Sequence, residues 1–136
     1  MCGIVGVFNL DRKPFRMSSL VEMGNQLNHR GPDDEGFYLK DNIGLGHKRL
    51  SILDTSRKGN QPMTSKDGKW VVVFNGCIYN YKELRKELKT KGYYFKSNTD
   101  TEVIAEGLSA YGPEFFERFN GMFAIGAWNT EEETLY

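Results

Sequence analysis

The sequence predicts an α+β fold with a mostly antiparallel sheet. Apolar, strand-like segments lie at both ends of the chain, and segments with helical spacing lie between them. Glycine, proline and asparagine separate these segments, and no internal repeat or low-complexity tract occurs. Because 136 residues suit one hydrophobic core, we expect residues 1–136 to form a single layered domain.

The composition excludes several classes of protein. The 18 Lys and Arg balance the 18 Asp and Glu, so no positive field favours nucleic acid or an anionic membrane. Cys2 and Cys77 are too few for a disulfide scaffold and lack the spacing of a zinc site. The N-terminus lacks the positive region of a signal peptide, and no segment approaches the roughly 20 apolar residues of a membrane span. We therefore expect a cytoplasmic protein that binds no metal.

The first half of the chain predicts three strands and one short helix. Residues 4–8 are apolar with interspersed glycines, as in a buried strand approached closely by other backbone. Ser19 and Glu22 have capping-box spacing and precede apolar residues at helical intervals, which predicts a helix over residues 19–28. A polar loop follows over residues 29–36. Two further strands are predicted, one over residues 37–39 and one over residues 43–50.

The second half predicts helices enclosed by strands. Residues 51–68 have the composition of a connection, and a strand over 69–74 is expected to end in a turn at Asn75-Gly76. Caps and breakers predict helices between Asn80 and Gly92, between Thr99 and Gly112, and over 114–119. The last strand is predicted over 122–128, with a short restart at 134–136 that suggests a domain truncated at its C-terminal end.

Cys2 is the strongest candidate nucleophile because of its position. Removal of the initiator methionine would leave a thiol and a free α-amine on one residue. An α-amine has a reference pKa of about 7.7–8.0, so it can accept the thiol proton near neutral pH. Such a residue needs no catalytic histidine, and we expect His29 and His47 to be structural.

Four further residues each allow a catalytic and an ordinary interpretation. Asn75 and Gly76 could donate hydrogen bonds to an oxyanion, or could form only a turn. Arg49 could bind a carboxylate with two parallel hydrogen bonds, or could be a solvated surface charge. Asp100 could bind an ammonium group, or could be an acid favoured in the first turn of a helix.

Seven segments, taken in order, resemble the glutaminase domain of asparagine synthetase-type class II glutamine amidotransferases. They are MCGIVG (1–6), HRGPDDEG (29–36), GHKRLSILD (46–54), QPM (61–63), NGCIYN (75–80), TDTEVI (99–104) and NGMFAI (120–125). The resemblance implies an N-terminal-nucleophile hydrolase fold, an αββα sandwich of two antiparallel sheets. It also implies hydrolysis of L-glutamine, with ammonia passed to a downstream synthetase domain that uses ATP and Mg²⁺. No cofactor is implied for the glutaminase domain itself, and a homodimer is allowed.

The resemblance assigns roles to particular residues. Cys2 corresponds to the nucleophile, Asn75 and Gly76 to the oxyanion hole, Arg49 to the α-carboxylate ligand and Asp100 to the ammonium ligand. The backbone lining the substrate pocket corresponds to Leu50, Ser51, Ile52 and Leu53.

One position departs from the family pattern. Cys77 stands where the family usually has a glutamate that resembles a second partner for the ammonium group. Three interpretations remain: a glutaminase that serves asparagine synthesis or another acceptor such as a small peptide, an N-terminal-nucleophile amidase with a different substrate, and a non-catalytic binding or regulatory domain.

Overall fold

Two antiparallel sheets form the centre of the molecule. The computed structural model describes residues 2–50 and 59–136. The first sheet has the strand order β1-β3-β2, and the second has the order β4-β5-β6-β7. The strands are β1 Gly3–Phe8, β2 Asp34–Lys40, β3 Ile43–Arg49, β4 Met63–Thr64, β5 Trp70–Ile78, β6 Gly121–Asn129 and β7 Thr134–Leu135.

Helices cover the outer face of each sheet. Helix α1 (Met17–Asn25) packs on β1 and β3. Helix α3 (Asp100–Tyr111) packs on β5 and contacts both α2 (Tyr81–Thr90) and a 3₁₀ helix (Gly112–Arg118). The layers are therefore helix, sheet, sheet and helix, which confirms the αββα sandwich. None of the helices in the described part of the chain is both long enough and apolar enough to span a membrane.

Strand β5 contributes to two hydrophobic cores. Val71 and Val73 face the first sheet and pack with Leu45 and Trp128, whereas Val72 and Phe74 face α2 and α3. Successive side chains of a strand point to opposite faces, so a strand covered on both faces needs a continuous apolar run rather than an alternating one. The apolar run that predicted this strand is explained by its central position.

The N-terminal signal predicted for α1 was wrong. The helix begins at Met17, and Arg16 before it makes no side-chain capping hydrogen bond. Ser19 therefore lies within the first turn, where it is already helical. The helix also ends at Asn25, three residues earlier than the apolar spacing indicated.

Pairing with neighbouring strands extends two elements and adds one. Strand β2 starts at Asp34, opposite Arg49, although the sequence there is polar. Strand β5 continues through Asn75 and Gly76 to Ile78 because β6 pairs with all of it, so the predicted turn was wrong. Strand β4 lies inside the predicted connection and pairs with Val71 and Val72.

The capping signals of the later helices have mixed outcomes. Thr99 accepts a hydrogen bond from the Glu102 N–H at 3.2 Å, which confirms the predicted cap of α3. The Glu102 carboxylate does not complete the capping box; it accepts from the N–H groups of Lys96 and Ser97, each at 2.7 Å. Asn80 precedes α2 but makes no capping bond. The segment predicted as a third helix is the 3₁₀ helix.

We predict that Gly107→Ala destabilises the fold. A Cβ at Gly107 would lie 1.8 Å from a ring carbon of Phe115, whose side chain is 1% exposed. Overpacking of a filled core costs about 1–3 kcal/mol, whereas alanine gains about 1 kcal/mol over glycine in a helix. We expect a net loss in the free energy of unfolding, measured by urea denaturation.

The reverse exchange on the same helix is the control. Ala110 is partly exposed and packs against the edge of the core, so Ala110→Gly reports helix propensity and a small loss of packing without the clash, and it should cost at least about 1 kcal/mol. If Gly107→Ala stabilises the protein by as much as Ala110→Gly destabilises it, the contact with Phe115 does not limit this position.

Candidate active site

A cavity of about 270 Å³ collects the predicted site residues. The start of β1, the end of β3, the second half of β5 and the start of α3 contribute to its wall. The predicted residues that line it are Cys2, Arg49, Leu50, Asn75, Gly76, Cys77 and Asp100. Ser51, Ile52 and Leu53 lie outside the described residues.

The thiol of Cys2 rests on the backbone that follows β3. The Leu50 N–H donates to Sγ at 3.3 Å, and the thiol lies 3.5 Å from the Leu50 carbonyl oxygen. Arg30 Nε donates to the Cys2 carbonyl at 3.1 Å. Two contacts from other parts of the chain thus hold the N-terminal segment at the cavity.

Beyond Val72, side chains replace the neighbouring strand along one edge of β5. Strand β4 pairs only as far as Val72. Gln61 Oε1 accepts from the Phe74 N–H at 2.6 Å, and Asp100 Oδ2 accepts from the Ile78 N–H at 3.1 Å. Side chains from other parts of the chain thus accept hydrogen bonds from two N–H groups on this edge, those of Phe74 and Ile78.

Gly76 lies between these two residues, and its N–H points to the same edge. Alternate residues of a strand direct their backbone groups to the same side. The N–H groups of Phe74 and Ile78 are bonded on this edge, and Gly76 between them lines the cavity. Only glycine fits here, because φ is 155° and a Cβ would lie 2.2 Å from the Met122 carbonyl oxygen. The strand thus offers a backbone donor to the cavity.

Arg49 is a buried cation fixed by residues that sequence reasoning missed. Arg49 is only 7% exposed, and its NH1 group donates a hydrogen bond to Asn60 Oδ1 at 2.6 Å. Asn60 in turn donates to Asp34 Oδ2 at 2.6 Å. A Cβ at Gly59 would lie 2.5 Å from the guanidinium. Gly59 and Asn60 were the available sequence signal for this contact with Arg49. They lie in the segment predicted to be a connection, whose polar composition gave no reason to single them out.

Asp100 is a buried acid that lines the same cavity. Burial raises the pKa of its carboxyl group, and hydrogen bonds from Ile78, Thr101 and its own N–H partly offset the rise. Burial also raises the pKa of the Cys77 thiol, and the negative charge of Asp100 adds to that rise. An ammonium group bound here would stabilise the ionised form of Asp100.

The two histidines do not supply a base beside Cys2. His29 is exposed, whereas His47 is 1% exposed between the sheets and its Nε2 lies 3.2 Å from the Phe74 carbonyl oxygen. Burial lowers the pKa of His47 to about 4. Among the described residues no three side chains of the metal-binding types converge.

The geometry agrees with the result of comparing the sequence with known families. Residues 1–136 match the family described as the glutamine amidotransferase domain. The chain belongs to this family. The two sheets and the helices that cover them therefore form a glutamine amidotransferase domain.

Curated relatives of this glutamine amidotransferase domain are longer proteins. Glutamine-hydrolysing asparagine synthetase 1 of Bacillus subtilis is 41% identical over an alignment covering 100% of this chain and 22% of that protein. Asparagine synthetase B of Escherichia coli is 39% identical, over 98% of this chain and 24% of that protein. The chain thus spans less than a quarter of the length of these two relatives.

A solved structure confirms the fold. Glutamine phosphoribosylpyrophosphate amidotransferase from Bacillus subtilis is similar with a TM-score of 0.76 and 19% identity, over 94% of this chain and 35% of that one. At that identity the likeness concerns the fold alone. It confirms the αββα sandwich of antiparallel sheets predicted for the glutamine amidotransferase domain.

We predict that Asp100→Asn makes the Cys77 thiol more acidic. The asparagine Oδ1 keeps an acceptor for the Ile78 N–H but removes the negative charge that raises the thiol pKa. In a Cys2→Ser background, the rate of alkylation of Cys77 by iodoacetamide should therefore rise at lower pH than in the parent. The pH dependence of that rate is the measurement.

Asp67→Asn is the matched control. Asp67 bonds to Ser65 and Ser109, and it does not line the cavity. Its substitution should leave the alkylation profile unchanged. An unchanged profile in Asp100→Asn as well would show that the two cavity residues do not interact.

Proposed function

We propose that the protein hydrolyses glutamine to glutamate and ammonia through a thioester on Cys2. One observation carries the proposal: the Cys2 thiol and the Gly76 N–H line a single cavity that also contains a buried cation, Arg49, and a buried acid, Asp100. An enzyme that attacks a carboxamide needs a nucleophile beside a donor for the developing oxyanion. A free amino acid has one carboxylate, which can pair with Arg49, and one ammonium group, which can pair with Asp100.

The reaction begins with the α-amine of Cys2, exposed when the initiator methionine is removed. The amine takes the thiol proton, and Sγ attacks the carboxamide carbon of glutamine. The Gly76 N–H and the Asn75 side-chain amide bind the resulting oxyanion. The protonated amine then gives its proton to the leaving nitrogen, so that ammonia departs and a thioester remains. Water, deprotonated by the same amine, cleaves the thioester to glutamate and restores the thiol.

Charge complementarity orients the substrate. The guanidinium of Arg49 presents parallel N–H donors that suit the α-carboxylate. The carboxylate of Asp100 accepts hydrogen bonds from the α-ammonium group. Both side chains are at least nine-tenths buried, so water competes weakly for them. The side-chain carboxamide then points toward Cys2.

The full-length relatives suggest the use of the ammonia. Those relatives are named glutamine-hydrolysing asparagine synthetases, and the present chain covers less than a quarter of each. We infer that ammonia passes to a synthetase domain that uses ATP and Mg²⁺ to activate a carboxylate, with asparagine as the product. Cys77 favours a second candidate, in which the same domain serves another acceptor or hydrolyses a different amide.

Substitution of the nucleophile and of an oxyanion donor tests the mechanism. Cys2→Ala should abolish glutamate release from glutamine, because no thioester can form. Asn75→Ala should reduce kcat by about 10²–10³-fold, as expected for loss of one oxyanion donor. Glutamate is measured by a coupled dehydrogenase assay with the full-length protein.

Met122→Leu is the control for the cavity wall. Met122 lines the cavity but carries no polar group, and a swap between side chains of similar volume preserves packing. Its kcat should match the parent. Glutamate release by Cys2→Ala at the parental rate would reject the thioester, and release from other amides but not glutamine would favour the second candidate.

Cys77→Glu tests the unusual residue on the ammonium side of the cavity. Cys77 and Asp100 line the same wall and interact electrostatically, so a glutamate there would add a charged partner for the α-ammonium group. A charge-assisted hydrogen bond is worth about 1.5–3 kcal/mol, or about 10- to 100-fold in affinity. We expect a lower KM for glutamine with little change in kcat, since ground-state and transition-state binding improve together.

Cys77→Ser is the matched substitution, because it keeps the size of the thiol and adds no charge. It should leave KM near the parental value. Thermal melts accompany both variants. A lower Tm with an unimproved KM in Cys77→Glu would show that the added carboxylate is a buried, unpaired charge rather than a substrate ligand.

A further inference from the structure

We propose that His47 is a positioning residue for the oxyanion hole, acting through the carbonyl group of Phe74. The proposal rests on the proposed function, because it concerns the donors that the reaction uses. His47 does not line the cavity and touches no substrate. It holds the Phe74 carbonyl group, which directly precedes Asn75 and Gly76 on β5.

The side chain of His47 spans the space between the two sheets. On β3 it shares a face with Ile43 and Leu45, which pack against β5 and β6. Its Nε2 lies 3.2 Å from the Phe74 carbonyl oxygen on β5. A carbonyl only accepts, so Nε2 carries the proton and the ring is the neutral Nε2–H tautomer.

This hydrogen bond fixes one peptide plane. The Phe74 carbonyl and the Asn75 N–H belong to the same planar peptide unit. The Asn75 side of that unit faces β6, where Asn75 pairs with Ala124. The Phe74 side faces the edge beyond the last residue that β4 pairs with, where the side chains of Gln61 and His47 reach it. His47 and β6 therefore hold the unit from opposite sides.

Gln61 completes the arrangement on the same residue. It accepts from the Phe74 N–H at 2.6 Å and donates to Thr101 Oγ1 at 3.2 Å. The two backbone groups of Phe74 are thus bonded by side chains from β3 and from the segment before β4. The next residue along this edge is Gly76, whose N–H faces the cavity.

A purely structural role accounts poorly for a histidine here. Its Nδ1 is buried and has no partner among the described residues. An unpaired buried polar atom costs stability, so an apolar side chain of similar size would pack between the sheets without that cost. The Phe74 carbonyl would then lose its donor. The ring is explained by the bond it makes to Phe74.

His47 also joins the two halves of the site. Two residues beyond it on β3 is Arg49, and the following residue, Leu50, donates to the Cys2 thiol. Strand β5 carries the oxyanion donors. A bond from β3 to β5 therefore sets the distance between nucleophile and oxyanion hole, and a misplacement of about 1 Å can cost about 100-fold in rate.

The test compares two substitutions in the full-length protein. His47→Leu removes the donor, and we expect kcat for glutamine hydrolysis to fall about 10- to 100-fold with KM changed less than about threefold. His47→Gln places an amide N–H near the position of Nε2 and should restore kcat to within about threefold of the parent. NMR of labelled histidine should show the neutral Nε2–H tautomer in the parent.

Leu45→Ala is the control for stability. Leu45 lies on the same face of β3 and is 1% exposed, so its truncation weakens the packing between the sheets without touching the Phe74 carbonyl. Assayed at a temperature at which circular dichroism shows it folded, it should retain the parental kcat.

The outcomes separate this proposal from the proposed function. No glutamate release by the parent would reject the glutaminase, and the amide resonances of Asn75 and Gly76 would then decide the positioning role. They should shift in His47→Leu and return toward the parent in His47→Gln. Equal kcat in His47→Leu and the parent, equal loss in the leucine and glutamine variants, or a loss as large in Leu45→Ala would each overturn the proposal.

Discussion

The site depends on an edge of β5 that loses its neighbouring strand inside the protein. Strand β4 stops pairing at Val72, although β5 continues to Ile78. Buried backbone groups need partners, so other elements must supply them. Gln61, Asp100 and His47 do so from three parts of the chain, and Gly76 is left facing the cavity. The need to pair the buried backbone groups of β5 therefore also brings Gln61 and Asp100 together at the cavity.

Two opposite charges with little access to water define the character of the cavity. The Arg49 guanidinium is held by Asn60, and Asn60 by Asp34, so the cation sits in a chain of hydrogen bonds. The Asp100 carboxyl group has a raised pKa because burial disfavours its charge. Groups fixed in this way need little reorganisation when a zwitterionic ligand binds, which favours preorganised recognition.

Cys77 places a neutral thiol beside the acid Asp100 in the cavity. The thiol lines the cavity together with Asp100, and its pKa is raised by burial and by the charge of Asp100. In the proposed mechanism Cys77 is neither the nucleophile nor an oxyanion donor, although it follows Asn75 and Gly76 on β5. Under the proposed function, a substitution at this position is therefore expected to alter the binding of the ligand more than the cleavage of the amide.

The sequence by itself determined the elements whose signals are local, and it singled out seven residues that line the cavity. The apolar run of β5, the Thr99 cap of α3 and the glycine after α3 depend on neighbours within a few residues, and the motifs around Cys2, Arg49, Asn75 and Asp100 are legible in order. Only the tertiary structure decided what depends on distant partners. The Asn75-Gly76 pair has the composition of a turn and becomes a strand because β6 pairs with it. Asn60 and Gln61 look like linker residues, and His47 like a core residue, until Arg49 and Phe74 are placed against them. Hydrogen bonds between residues 11 to 40 positions apart leave no periodicity in a sequence, so they emerge only when the sheets pack.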